Sequence, residues 1–461
     1  MIAAASGAAA DFATKPWLQL GDNPRLSTPE TVQVLWQTSD TQNKWSVEVA
    51  KGDPSAPWRK CEAPASVPLA AITSFTLHLW TANLADLEPG KPFRYRLRAD
   101  GKTAFEATGA ARKHDSKTRF VAFGDCGAET TGQQRIAYQA SLLKPDYVFI
   151  TGDIVYNYGL VSEYLRKYFP VYNADVAGPK SGAPLIRSTL FLAAPGNHDL
   201  LRADLNRSPD ALGYYYYWSQ PLNGPLTGDT TASITNLKGS DQAVAAFKAA
   251  AGSRWPRSAN YSFDYGTVHW TVLDSNPYVD WSDRKLREWV DKDLESAKSA
   301  KWRIVAFHHP PFQSSKAHQK DQWMRLLADI FEKHKVSVVL AGHVHNYQRS
   351  HPLRFVADGT TQGVVQRQKD GQVPGTWTLD KTFDGATHTK PEGPLYIVSG
   401  AGGAGLYNAD QQPKPNTWQP FTVKYIADKH SLTVVDVSDE AFEFQQISDR
   451  GETLDTFKIT R

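Results

Sequence analysis

The chain reads as a small all-β sandwich over residues 16–112 followed by a larger α/β domain over residues 118–461. Three observations carry that reading. The first part alternates short strands with turns, the second changes to a strand, loop, helix rhythm, and five of its apolar strands end in a short polar motif. The polar segment ARKHDSK (111–117) reads as the link between them.

In the first part, TVQVLWQT (31–38) and WSVEVA (45–50) carry the β-branched and aromatic residues of strands. FTLHLW (75–80) precedes the turn residues Glu88, Pro89 and Gly90, after which Phe93, Tyr95 and Leu97 alternate in PFRYRLRA. So many strands in under a hundred residues fit a sandwich. Residues 1–15, rich in alanine, read as a disordered remnant of a cleaved leader, which makes a secreted or periplasmic location the expectation.

In the second part, RFVAFGD (119–125), DYVFITGD (146–153), TLFLAAPGNHD (189–199), WRIVAFHH (302–309) and VSVVLAGHVH (336–345) are strands apolar enough to be buried on both faces. DRKLREWVDKDLESAKSA (283–300) reads as one of the helices between them. Residues 200–260, including GYYYYWSQPLNGP (213–225), form an insertion, and 351–392 is a second polar stretch; both read as long loops. The segment 394–461 is strand-like and is expected to complete a second sheet.

Fifty-one Lys and Arg against 48 Asp and Glu give a net charge of +3 with no basic run, so nucleic acid is not the expected partner. No apolar stretch approaches the roughly 20 residues that span a bilayer, so no membrane partner is expected. Two cysteines, Cys61 and Cys126, exclude a disulfide framework and leave the redox compartment open. Oligomeric state is not legible.

The polar motifs are GDCG (124–127), GDIVY (152–156), GNHD (196–199), VAFHHP (305–310) and GHVH (342–345). Ligands gather beyond the carboxyl ends of strands in α/β sheets, and these motifs sit there. They supply Asp125, Asp153, Tyr156, Asn197, His308, His343 and His345, ligation for two metal ions with positions left open. Asp153 is the candidate bridge, since one carboxylate shared by two ions holds them together. Taken singly, either aspartate could equally cap a helix, and Tyr156 could be an ordinary buried tyrosine. His343 and His345, two apart at a strand end, present both imidazoles to one side. His309 would point away, as a packing or supporting residue. Asn197 adds a neutral oxygen, while His198 beside it suits proton donation to a departing alkoxide. Cys126 reads as a small filler, and the run Tyr214 to Trp218 either walls the pocket or packs a surface loop.

These motifs, in this order, resemble the purple acid phosphatases within the calcineurin-like metallophosphoesterase superfamily: a DxG at Asp125 to Gly127, a GDxxY at Gly152 to Tyr156, a GNH[DE] at Gly196 to Asp199, a VxxH at Val305 to His308 and a GHxH at Gly342 to His345. NYQRS (346–350) and YIVSGAGG (396–403) extend the resemblance. It implies a four-layer α+β sandwich with two mixed β-sheets flanked by helices, preceded by a fibronectin-III-like sandwich as in plant-type members. It further implies Fe3+ held by Asp125, Tyr156, His345 and bridging Asp153, and a divalent Fe2+, Zn2+ or Mn2+ held by Asn197, His308, His343 and the same Asp153. His198 would contact phosphate or leaving group. His318, ten residues past His308, is the best match to a further substrate histidine, although its flank differs from the plant pattern.

The implied activity is hydrolysis of small phosphate monoesters to inorganic phosphate at acidic pH, by in-line attack of metal-bound hydroxide, with His198 or His318 protonating the leaving alcohol. A phosphodiesterase or phospholipase C of the same superfamily is the alternative that Tyr156 disfavours. The iron-containing alkaline phosphatases are disfavoured because GHVH is complete. A non-catalytic extracellular binding protein would require the seven ligands to be idle.

Overall fold

The computed structural model describes residues 12–39, 43–69, 77–115, 117–225, 236–359 and 369–461. The first unit is two four-stranded sheets face to face. One runs Phe12–Gln19, Glu30–Thr38, His78–Leu87, Ala65–Pro68, and the other Arg59–Lys60, Trp45–Lys51, Pro92–Ala99, Lys102–Ala110. Alternation decides their facing sides: Val32, Val34 and Trp36 of one sheet meet Val47, Val49, Phe93, Tyr95 and Leu97 of the other in one apolar core. The first strand begins at Phe12, inside the segment expected to be disordered. Register shifts flanking Thr14 interrupt its pairing before Trp17, and Pro16 between them breaks the alternation that a sequence reading relies on.

The link is not a solvated tether. Arg112 is fully buried, with Nε and NH2 donating to the Glu30 carboxylate at 2.8 and 3.1 Å, NH1 to the Asp264 carbonyl at 3.0 Å and NH2 to the Arg25 carbonyl at 2.8 Å. One guanidinium thereby ties the sandwich to the second unit. Leaving either partner alone in that dry place would cost about 3–5 kcal/mol.

The second unit has two mixed sheets. The six-stranded sheet places Leu190–Ala193, Tyr147–Ile150 and Thr118–Phe123 in parallel, followed by the antiparallel Ser431–Val437, Ala441–Ser448 and Thr453–Thr460. The seven-stranded sheet runs Tyr261–Tyr265, Val268–Val272, Trp302–Ala306, Val338–Ala341, Leu395–Ser399, Tyr347–Ser350, Thr422–Ile426. The tail therefore completes both sheets rather than one: Leu395–Ser399 and Thr422–Ile426 lie in the seven-stranded sheet, while Ser431–Val437 pairs onto Thr118–Phe123 and the last two strands add in turn beyond it.

Alternation again sets the layers. Phe120, Ala122 and Phe149 face Trp270, Ile304 and Leu340 of the other sheet, with the Phe149 and Trp270 rings 4.7 Å apart. Val121, Phe123, Val148 and Ile150 point outward onto Ile136, Ala137 and Ala140 of the helix Thr131–Leu143. Val305, Phe307 and Val339 point onto Leu286, Val290 and Leu294 of the helix Arg284–Ser296. The result is helix, sheet, sheet, helix. Truncating Trp270 to Ala in the middle of this stack would cost about 3–5 kcal/mol. The second of these helices starts where Asp283 accepts from Lys285 N and Leu286 N, a cap worth about 1 kcal/mol.

Both stretches read as long loops contain structure. The insertion holds the helices Tyr214–Tyr217, Asp241–Ala251 and Arg254–Arg257, and Leu353–Ala357 pairs with Gly375–Leu379 as a hairpin. Parts of each, 226–235 and 360–368, lie outside the described residues. The aromatic run is neither a pocket wall nor surface packing: Tyr214 to Trp218 are all buried. Tyr217 accepts from Gln37 Nε2 at 3.0 Å, and Trp17 of the sandwich packs against Phe169 and Tyr217, so the run cements the two units.

Candidate metal centre

The carboxyl ends of the parallel strands of both sheets meet, and the five motifs meet there with them. Asp125 N donates to Gly152 O at 2.9 Å, Gly124 N to Ser399 O at 2.8 Å and Gly342 N to His308 O at 2.9 Å, so loops from the two sheets are laced together. Four site residues other than glycine hold left-handed backbone conformations: Asp125 (φ +57°), Asp153 (+50°), His318 (+59°) and His343 (+67°). Each such residue stores roughly 1–2 kcal/mol, and the crossed loops hold them there. Glycine is required beside them, since a Cβ on Gly196 would lie 2.1 Å from Asp153 Oδ1.

All seven residues expected as ligands converge. The Tyr156 hydroxyl is 3.1 Å from Asp125 Oδ1, 3.2 Å from Asp153 Oδ2 and 3.0 Å from His345 Nε2. His308 Nε2 is 3.1 Å from Asn197 Oδ1, 3.2 Å from the same Asp153 Oδ2 and 3.2 Å from His343 Nδ1. Asp153 Oδ2 is thus the atom common to both groups. Donors about 2.1 Å from a shared ion stand about 3.0–3.4 Å from each other, so this spacing suits two ions flanking that oxygen.

The rings are oriented from behind. His308 Nδ1 meets Thr151 O at 2.8 Å, His345 Nδ1 meets Gly405 O at 2.6 Å, and His343 Nε2 meets Asp321 Oδ2 at 3.0 Å. With each outer nitrogen donating, each inner nitrogen offers a lone pair to the centre. Without a cation, that arrangement is electrostatically costly. Burial would lower the His308 pKa, but the Asp153 and Asp125 carboxylates outweigh it and lift it to about 9. Burial, with His308 and His318 nearby, pushes His343 down to about 4 despite its bond to Asp321. Burial together with the two carboxylates holds the Tyr156 phenol well above its ordinary value.

Of the two expected proton donors, His198 lies closer to the cluster. Its ring is 4.4 Å from the Tyr156 ring, Nδ1 meets Asn157 O at 2.7 Å, and Nε2 lies 3.9 Å from Asp153 Oδ2. Its backbone N donates to Asp153 Oδ1 at 2.9 Å, so the same loop carries the bridging candidate's support and the half-buried histidine. His318 is one ring further out, its centroid 4.0 Å from His343. His309 does not point away from the cluster: it is buried, with Nδ1 2.9 Å from Ser275 Oγ and its ring 4.3 Å from that of His343 and 5.0 Å from Trp323, so it packs behind the His343 ring. Cys126 is buried with Sγ 3.6 Å from Ile154 O, a filler between two motif loops.

Several supporting roles at the site are not legible in the sequence, even for Asp199 inside a motif. Asp199 accepts from Gly196 N at 2.8 Å and Ile154 N at 3.1 Å, joining two motif loops; burial and the nearby Asp153 lift its pKa to about 7. Ser275 Oγ accepts from His308 N and His309 N, and Asn276 Nδ2 donates to Gly196 O. The segment HWTVLDSN (269–276) had the signal, an apolar strand ending in polar residues, but no histidine at its carboxyl end to draw attention. Asp321, three residues past His318, and Tyr407, whose ring stacks 3.9 Å from that of His345, lie in irregular segments with no such signal. The glycines of YIVSGAGG have a local reason: a Cβ on Gly400 would lie 2.8 Å from Asp125 Oδ2.

Residues 118–347 match the family model of the calcineurin-like phosphoesterases. The chain is 23% identical over 417 residues to probable inactive purple acid phosphatase 1 of Arabidopsis thaliana, covering 83% of this chain and 58% of that protein. A shorter segment is 36% identical over 98 residues to purple acid phosphatase 21 of Arabidopsis thaliana, 20% of this chain and 22% of that protein. The chain thus spans 58% and 57% of the length of two relatives that it matches along most of its own. Among solved structures, purple acid phosphatase PPD1 from yellow lupin (Lupinus luteus) seeds aligns with a TM-score of 0.65 at 17% identity, over 97% of this chain and 74% of that one. PhoD aligns with a TM-score of 0.60 at 12% identity, over 99% and 94%. These two likenesses establish the shared fold. Residues 118–347 are a calcineurin-like phosphoesterase domain, in a chain similar to purple acid phosphatases over most of its length.

Proposed function

We propose that the protein is a binuclear metal-dependent phosphatase that hydrolyses small phosphate monoesters at acidic pH. The observation that carries this reading is the single buried oxygen, Asp153 Oδ2, lying 3.2 Å from both the Tyr156 hydroxyl and His308 Nε2. Asp125, Tyr156, His345 and Asp153 would hold one ion; Asn197, His308, His343 and Asp153 the other. The first set carries three oxygen donors, one a phenol, which suits Fe3+; the second, with two imidazoles and a neutral amide oxygen, suits Fe2+, Zn2+ or Mn2+. When bound, such a pair supplies an activated water and neutralises charge on the phosphoryl oxygens.

The chain's own residues do the rest. His198, with its Nδ1 anchored on Asn157 O, keeps Nε2 on the solvent side of Asp153, where it can donate a proton to the leaving oxygen. His318 stands on the far side of His343 to do the same or to bind phosphate. Requiring that proton places the activity on the acid side. Tyr407 closes one flank by stacking on His345 and keeps bulk water from that ring.

Three relatives are named probable inactive purple acid phosphatases, which would match a non-catalytic protein. The complete donor set of this chain supports the active reading. Comparing initial rates on aryl phosphate monoesters and diesters across pH tests it. Faster monoester hydrolysis below neutrality is expected; preference for diesters supports a phosphodiesterase, and no hydrolysis by the metal-loaded chain supports the binding protein.

A further inference from the structure

We propose that Asp321 is a positioning residue for the divalent half of the centre, holding the ligand His343 and the outer His318 with one carboxylate oxygen; this rests on the binuclear reading above. Asp321 Oδ2 lies 3.0 Å from His343 Nε2 and 3.1 Å from His318 Nδ1. The three residues descend into the protein, their side chains 36% exposed at His318, 25% at Asp321 and 7% at His343.

The other two imidazoles of the centre back onto neutral backbone carbonyls, Thr151 O for His308 and Gly405 O for His345. His343 alone backs onto a carboxylate. A charged acceptor fixes the tautomer more firmly and makes the inner nitrogen a stronger donor, so the divalent ion is the one that Asp321 tunes. The same oxygen turns the His318 ring against His343, centroids 4.0 Å apart, and so couples the outer histidine to the ligand set.

The local chain is built to hold the carboxylate there. Asp321 N donates to His318 O at 3.1 Å, and His318 takes a left-handed conformation to present its ring. Ahead of it, Ser315 Oγ and Ala317 N both donate to Asn408 Oδ1, at 2.5 and 3.1 Å, and Lys316 N to Gln411 Oε1 at 2.8 Å. The neighbouring cations face elsewhere: Lys316 pairs with Asp410 and Lys320 with Asp370. Among the described residues, the ion pairs of Asp321 are to the two histidines.

The test compares the full-length chain with Asp321→Ala and Asp321→Asn after loading with iron and zinc, measuring zinc affinity by chelator competition alongside iron content, visible spectrum and KM against kcat. Asp321→Ala is expected to weaken zinc about tenfold to a hundredfold while iron content and the visible band stay unchanged. Asp321→Asn, which keeps one acceptor, is expected to fall between, and kcat to drop with zinc saturation restored only in part. Unchanged zinc affinity in both variants would overturn the inference while leaving the binuclear reading intact. Equal loss of iron and zinc would overturn it as a general structural effect. Loss of a third ion, with the other two still held tightly, would overturn it by making His318, Asp321 and His343 a separate metal site. A wild-type chain that takes up fewer than two ions would overturn the binuclear reading and this inference together.

Discussion

His308 Nε2 and His343 Nδ1 face each other at 3.2 Å, their outer nitrogens committed to Thr151 O and Asp321 Oδ2. Two ring nitrogens aimed at one point suit a shared cation between them. In its absence the neighbouring carboxylates draw a proton onto His308. Removing metal with a chelator is therefore expected to lower the melting temperature, and a divalent ion at a hundred times its Kd to return about 2.7 kcal/mol. His308→Ala should abolish that response, as differential scanning calorimetry would show.

His198 is expected to act on the leaving group and not on the metals. Replacing it with Ala should lower kcat about a hundredfold or more, with both ions retained. The loss should grow as the leaving alcohol becomes more basic, which a series of aryl and alkyl phosphates would measure. An equal loss for every leaving group would argue for phosphate binding instead.

The loop carrying Tyr156 is pinned from below by a buried ion pair. Glu163 accepts from Asn157 N, from Tyr158 N at 2.9 Å and from Leu160 N at 3.2 Å, and Lys167 lies 3.3 Å from Glu163 and also donates to Tyr156 O. Lys167→Met leaves that carboxylate without its counter-charge and should cost about 3–5 kcal/mol in urea unfolding.

His269 sets a pH dependence of stability away from the centre. Its ring is buried between Asp264, 2.7 Å from Nδ1, and Asp293, 3.1 Å from Nε2, with Arg25 3.3 Å from Nδ1. Ser262 and Thr271 hold Asp293 in place. Burial disfavours the imidazolium, yet bonds to the two carboxylates outweigh it and raise the pKa. A raised folded value means a contribution fully present below about pH 6.5, the unfolded value, and lost as pH climbs through the folded one. The stability difference between the wild type and His269→Gln should therefore be largest in mild acid and shrink above neutrality, read from urea midpoints across pH.

The legible parts of the site are those where chemistry and secondary structure coincide. A histidine or aspartate ending an apolar strand announces itself, as Asp125, Asp153, His308 and His343 do. Asp321 and Tyr407 lie in irregular segments, and only the tertiary path brings them to His343 and His345. The same contrast holds for the fold. The alternation in Pro92–Ala99 was readable, whereas the strand Phe12–Gln19 hid behind Pro16, and the buried bonds of Arg112 made a rigid junction of a polar segment.

We propose that Asp153 is shared by two metal ions and that Tyr156 holds one of them, the ferric ion. Metal analysis with the visible spectrum of the purified protein and of Tyr156→Phe tests it most directly. Two ions per chain, one of them iron, are expected, with a broad charge-transfer band that disappears in Tyr156→Phe. A colourless protein that still hydrolyses phosphate monoesters would contradict it.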